Sequence, residues 1–160
     1  MLNLVAAKAV CLAEAARPEF RVYAAQVLDN SRALASSLVE AGAVVVTGGT
    51  DTPIVLVDIR GRAFTGKDLQ DQLDEVGLTV NKNGVPGDER GPRETSGIRL
   101  GSSAGTARGL GRDDFAQIGR WIADIIGVMS TDGDVDAVAR RVETGVAELT
   151  AAYPMDGAVD

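Results

Sequence analysis

The chain contains no histidine. That removes the imidazole from each of its usual roles: triad base, acid/base catalyst near neutral pH, nitrogen ligand to a metal. Cys11 is the single cysteine, so an internal disulfide is impossible. It lies in an apolar stretch expected to be helical, where a small buried hydrophobe is the reading. Aromatic residues make up only 4% of the chain, so the core must come from Val, Leu, Ile and Ala. Cations are outnumbered, with 16 Lys and Arg against 23 Asp and Glu, for a net charge of -7. No basic stripe stands out, which argues against a nucleic-acid partner, since a phosphate backbone calls for clustered Lys or Arg. No apolar run is long enough to span a bilayer, so no membrane partner is expected. Lysine is scarce as well: Lys8, Lys67 and Lys82 are all there are.

What is present is ordinary for a globular protein. The 160 residues are 45% hydrophobic and 24% charged, consistent with one compact domain. Alanine content predicts a helix over Leu2 to Ala16. It lacks a basic leader, and Lys8, Glu14 and Arg17 interrupt it, so it reads as an amphipathic helix of a cytoplasmic protein rather than a signal peptide. Pro18 suits the first turn of a second helix, whose stripe is Phe20, Tyr23, Val27, Leu34 and Leu38, with Gly42 as its stop. Val44 to Val46 and Ile54 to Ile59 read as strands. Thr65-Gly-Lys-Asp68 fits a capping box opening a helix with Leu69, Leu73 and Val76 on its apolar face. Leu78 to Val80 and Gly97 to Leu100 read as short strands, while 81–96 and 102–111 read as loops. Two helices close the chain, one buried through Phe115, Ile118, Ile122, Ile125 and Ile126, the other through Val135, Val138, Val142 and Leu149. The fold expected is α/β in the broad sense, an α+β two-layer domain with a small, largely antiparallel sheet covered by helices.

Three segments are candidates for chemistry. Thr47-Gly-Gly-Thr-Asp51 can cradle a phosphate through backbone N–H groups, but no helix or lysine follows it, and a tight turn between strands is the simpler reading. In Asn81-Lys-Asn-Gly-Val-Pro-Gly-Asp88 two amides flank a lysine at the end of a strand, where they can bond a heterocycle or serve as turn residues. In Thr95-Ser-Gly-Ile-Arg-Leu-Gly101, strand alternation points Arg99 away from the face of Ile98 and Leu100. A guanidinium so placed matches a carboxylate through two parallel bonds, on a ligand or on one of the chain's own acidic residues. The Asp132-Gly-Asp134-Val-Asp136 run has the opening of a calcium loop, but its glycine and terminal glutamate are misplaced. No metal site and no catalytic acid/base pair emerges.

These pieces in this order resemble serine hydroxymethyltransferase: Gly48-Gly-Thr-Asp51, Asn81-Lys-Asn83, Val85-Pro86, Thr95-Ser-Gly-Ile-Arg99, Thr106 and Arg108-Gly109. Ala7-Lys-Ala9, Pro18-Glu-Phe20 and Tyr153-Pro154 agree as well. The resemblance implies the C-terminal small domain of a fold-type-I pyridoxal-phosphate enzyme, with residues 1–17 as an inter-domain helix, 18–153 as the domain and 154–160 as a tail. It implies that Arg99 binds the amino-acid carboxylate and that Asn83 lies at the tetrahydrofolate site. It implies that the Schiff-base lysine belongs to a large domain absent from this chain, which is then inactive alone and holds no tight cofactor. Expected partners are that large domain, an amino acid, a folate and further copies in a homo-oligomer. A self-associating or large-domain-binding module, a related aldolase, or an α-methylserine hydroxymethyltransferase are the alternatives. One departure bears on Arg99. The family has Thr-Pro where this chain has Ser102-Ser103, which puts the shape of the following loop in question.

Overall fold

A computed structural model describes residues 1–131 and 133–154. Six helices and four strands follow in the order α1 (Leu2–Ala15), α2 (Pro18–Glu40), β1 (Val44–Val45), β2 (Ile54–Asp58), α3 (Gly66–Glu75), β3 (Asn81–Lys82), β4 (Gly97–Gly101), α4 (Ser103–Ala107), α5 (Arg112–Met129) and α6 (Val135–Ala152). The sheet is antiparallel throughout, in the order β1-β2-β4-β3. It is the α+β arrangement expected from the sequence.

The strands alternate as a sheet with one wet face should. Val55 and Val57 of β2 and Ile98 and Leu100 of β4 are buried. They meet Leu34 and Leu38 of α2, Leu69 and Leu73 of α3, and Ile122 and Ile125 of α5 in one core. Ile54 and Val44 on the other face are about half exposed. Thr65 caps α3 as its sequence predicts, with its hydroxyl oxygen accepting from the Asp68 N–H and Asp68 accepting from the Thr65 N–H. Asp134, part of the calcium-like run, caps α6 instead by accepting from the Ala137 N–H; Asp132 lies outside the described residues, as do 155–160 of the expected tail.

Four expectations need correction. Leu78 to Val80 is not a strand; Leu78 and Val80 pack against the core, and the ladder with β4 begins only at Asn81, opposite Arg99. Residues 102–111 are not all loop, because the Ser102 carbonyl accepts both the Thr106 N–H and the Thr106 hydroxyl and so closes α4. Cys11 is exposed rather than buried. It sits in α1, which buries none of its residues and leaves Leu2 and Leu12 more than two-thirds exposed, so amphipathic burial does not describe this helix. Along α2, Val27, Leu34 and Leu38 are buried as expected while Phe20 is 43% exposed.

Glycine makes two close approaches possible. A Cβ on Gly66 would collide with Thr95 and with the Gly97 carbonyl. A Cβ on Gly97 would lie 2.6 Å from Val85 Cγ1, 2.7 Å from the Val57 carbonyl and 3.0 Å from the Asn83 carbonyl. Gly97→Ala should therefore destabilise the chain by about 1–3 kcal/mol in urea unfolding, the cost of forcing extra volume into packed structure. Gly127→Ala, in α5 with nothing within 4 Å of the added atom, should instead stabilise by roughly 0.5–1 kcal/mol.

Candidate functional site on the open sheet face

Arg99 stands in the middle of β4, opposite Leu56 of β2 on one side and Asn81 of β3 on the other. Its neighbours Ile98 and Leu100 are buried while Arg99 is exposed, so the guanidinium belongs to the open face, as alternation requires. It takes part in no ion pair among the described residues. Arg60 makes the contrast. It grips Asp58 through Nε at 2.9 Å and Nη2 at 2.6 Å, and its Nη1 donates to the Pro86 carbonyl at 3.2 Å. That bond holds the Asp58 carboxyl below its ordinary range. Arg60 is engaged in structure, whereas Arg99 has no such partner among the described residues.

Cross-strand neighbours share a face, which places Asn81 beside Arg99. Asn83, two residues on, falls on the same face and is half-buried. Its N–H donates to the Gly97 carbonyl at 2.8 Å and its Nδ2 to the Gly84 carbonyl at 2.7 Å. Lys82 is opposite Ile98 and so faces the helix layer, away from Arg99. Lys67 lies on α3 paired with Asp71, and Lys8 lies on α1.

The loop from Asn83 to β4 is fixed by Asp88. Its Oδ2 accepts from the Ser96 N–H at 2.7 Å and the Val85 N–H at 3.3 Å, and its Oδ1 from the Arg90 N–H at 3.0 Å. Bonds from Ser96 are the main reason its pKa falls to about 2. Arg90 in turn donates to the Phe64 and Arg62 carbonyls. Thr95, at φ 56°, turns the chain into β4 through a conformation side chains rarely adopt. The sequence marked this loop as turn-rich without showing that one carboxylate holds it, and 88 is where an aspartate closing a turn is ordinary.

The Ser102-Ser103 departure directly follows β4. Ser102 is fully buried, with its hydroxyl donating to the Val27 carbonyl at 2.8 Å. Ser103 opens α4, a position that proline also tolerates. The adjoining residues are structural. Asn30 Nδ2 donates to Thr106 Oγ1 and to the Leu110 carbonyl, both at 2.9 Å, and Arg108 Nη2 donates to the Thr150 carbonyl at 2.7 Å near the end of α6. A 3-10 turn, Val46–Gly48, opens the 47–51 segment between β1 and β2, with Thr47 and Gly48 at positive φ, the ordinary reading of that glycine pair.

A small antiparallel sheet with helices on one face, and on the other an arginine with two asparagines beside it and no ion pair among the described residues, define a module of the α+β class. The profile of the serine hydroxymethyltransferase family matches residues 1–122. The chain is 48% identical over 153 residues to the 2-methylserine hydroxymethyltransferase of Aminobacter sp, covering 96% of this chain and 36% of that protein. It is 47% identical to the serine hydroxymethyltransferase of Rhodospirillum centenum and 46% identical to that of Novosphingobium aromaticivorans, covering 97% of this chain and 36% of each relative. The chain belongs to the serine hydroxymethyltransferase family, and it spans about 36% of the length of these relatives. Among the described residues no helix is long and apolar enough to cross a membrane.

Asp88 is depressed from 3.8 to about 2, so its contribution to stability is complete above pH 4 and is lost as pH falls toward 2. Asp88→Asn should lower Tm at pH 7, and the wild type and the variant should converge as pH approaches 2. A Tm gap that stays constant from pH 7 to 2 would contradict this role for the carboxylate.

Proposed function

We propose that this chain is the C-terminal domain of a hydroxymethyltransferase that interconverts serine and glycine with tetrahydrofolate as the one-carbon carrier. Arg99 holds the amino-acid carboxylate, and Asn83 contributes to the folate pocket. The observation that carries this reading is the guanidinium of Arg99 at the centre of the open sheet face, with no ion pair among the described residues. Two parallel charge-assisted bonds from its fork would fix both position and orientation of the substrate. Asn83 keeps its amide oxygen as an acceptor while Nδ2 anchors the side chain to the Gly84 carbonyl.

Pyridoxal phosphate supplies the electron sink for such chemistry when it is bound. The described residues do not fit it. Lys82 faces the helix layer, Lys67 is paired with Asp71, Lys8 lies on α1, and none stands on the face of Arg99. The cofactor and its lysine then belong to a large domain that this chain docks against, and the chain alone is inactive. The Aminobacter relative keeps a 2-methylserine substrate as an alternative, and an aldolase of the same fold another. Side-chain selectivity would be set mostly by the large domain.

A second reading is a module that pairs with itself. It is favoured by α1, whose Leu2, Val5, Val10 and Leu12 are all more than half exposed. Sedimentation equilibrium decides it, because a monomer at high concentration removes this reading and leaves the first.

The main reading is tested by grafting this chain onto the N-terminal portion of the Novosphingobium enzyme. Serine–glycine exchange should appear in the graft and be absent from the chain with pyridoxal phosphate alone. Arg99→Lys keeps the charge but loses the fork, and should raise the KM for serine by roughly 10–100-fold. Asn83→Ala should act mainly on the KM for tetrahydrofolate. An unchanged serine KM in Arg99→Lys would refute the assignment.

A further inference from the structure

We propose that Gln70 of α3 is a positioning residue for the Asn81-Lys82-Asn83 segment, holding it in the register that puts Asn81 beside Arg99 and Asn83 beside Gly97. The role this gives to Asn83 rests on the folate reading above, while the positioning itself does not.

β3 is two residues long and lies at the edge of the sheet. So short a ladder has little to hold it in place, and an edge strand has neighbours on one side only. Backbone N–H groups alternate in direction along a strand. The Asn83 N–H points inward and reaches the Gly97 carbonyl at 2.8 Å. The Lys82 N–H points outward, where no further strand follows. Gln70 fills that place, its side-chain oxygen accepting the Lys82 N–H at 2.8 Å. The side chain thus does for β3 what a fifth strand would do.

The position of Gln70 is itself fixed from the segment that leads into β4. At the N-terminus of α3 the Gly66 N–H donates to the Thr95 carbonyl at 2.9 Å, and the Lys67 N–H donates to the Glu94 carbonyl at 3.0 Å. Gly66 permits this approach by lacking a Cβ. One turn further along, Gln70 holds β3. The helix therefore spans from the segment that feeds Arg99 to the strand that carries Asn81 and Asn83, and it sets their spacing. A slip of one residue would turn both asparagines to the helix layer and bring Lys82 to the side of Arg99. That slip would also move an inward N–H to the height of Gln70 and leave the amide oxygen without its partner.

The test is hydrogen–deuterium exchange followed residue by residue in the 15N-labelled full chain, for the wild type, Gln70→Ala and Gln70→Glu. Alanine removes the acceptor and is a good helix former, so α3 should persist; glutamate keeps an acceptor oxygen. In Gln70→Ala the Lys82 amide should exchange about tenfold faster, in line with loss of one hydrogen bond, and the Asn83 side-chain amide resonances should shift. Gln70→Glu should restore both, and the Val57 and Ile98 amides should stay as protected as in the wild type. An unchanged Lys82 rate in Gln70→Ala would overturn the proposal, and so would an equal increase in Gln70→Glu. No folate is present in this measurement, so its failure is distinct from failure of the folate reading, which the graft kinetics decide.

Discussion

Three strands of chain converge on Gly97 with no room for a side chain between them. The Val57 carbonyl comes from β2, the Asn83 carbonyl from the end of β3, and Val85 from the loop that follows. Two of these three contacts are backbone carbonyls, which a side chain at 97 could not push aside without shifting a strand. This close approach aligns β4 with β2 over five residue pairs and seats Asn83 beside β4. Ile98 and Leu100 are thereby committed to the core, and Arg99 between them is committed to the open face. The site is a consequence of that packing.

Much of the fold was readable because periodicity reports burial. The stripe of Phe115, Ile122, Ile125 and Ile126 gave α5, and Leu69 and Leu73 behind a Thr65–Asp68 capping box gave α3. What periodicity could not report is which backbone groups find partners far away in sequence. Leu78 to Val80 has the composition of a strand, yet the ladder starts at Asn81 although β4 runs on to Gly101, and Leu78 and Val80 pack on the core instead. The Ser103–Ala107 helix contains a glycine and has no apolar stripe; the Ser102 carbonyl and the buried Asn30–Thr106 bond hold it in place. Cys11 was misjudged because an apolar helix was assumed to have something to bury against within the chain, and α1 does not.

The site divides in the same way. Arg99 was legible from alternation alone, since an arginine between two core residues must project to the other side. The choice between a ligand and an internal ion pair was not legible, because it depends on where 23 acidic residues end up in space. Asp58 goes to Arg60, Asp71 to Lys67 and Asp124 to Arg141, and Arg99 makes no pair among the described residues. Asp88 and Gln70 left no signal at all. One looks like any turn aspartate and the other like any half-exposed helix glutamine, and each matters only through backbone N–H groups brought to it by the fold.

In the proposed reading, the chain supplies one wall of a site, with Arg99, Asn81, Asn83 and a braced loop on it and the reactive centre on a large domain. The most direct measurement is titration of the purified chain with pyridoxal phosphate, followed by borohydride reduction and mapping of the modified lysine. The account predicts only low, scattered labelling of Lys8, Lys67 and Lys82. A single lysine labelled stoichiometrically, with the absorbance of a defined adduct, would contradict it and place the reactive centre within this chain.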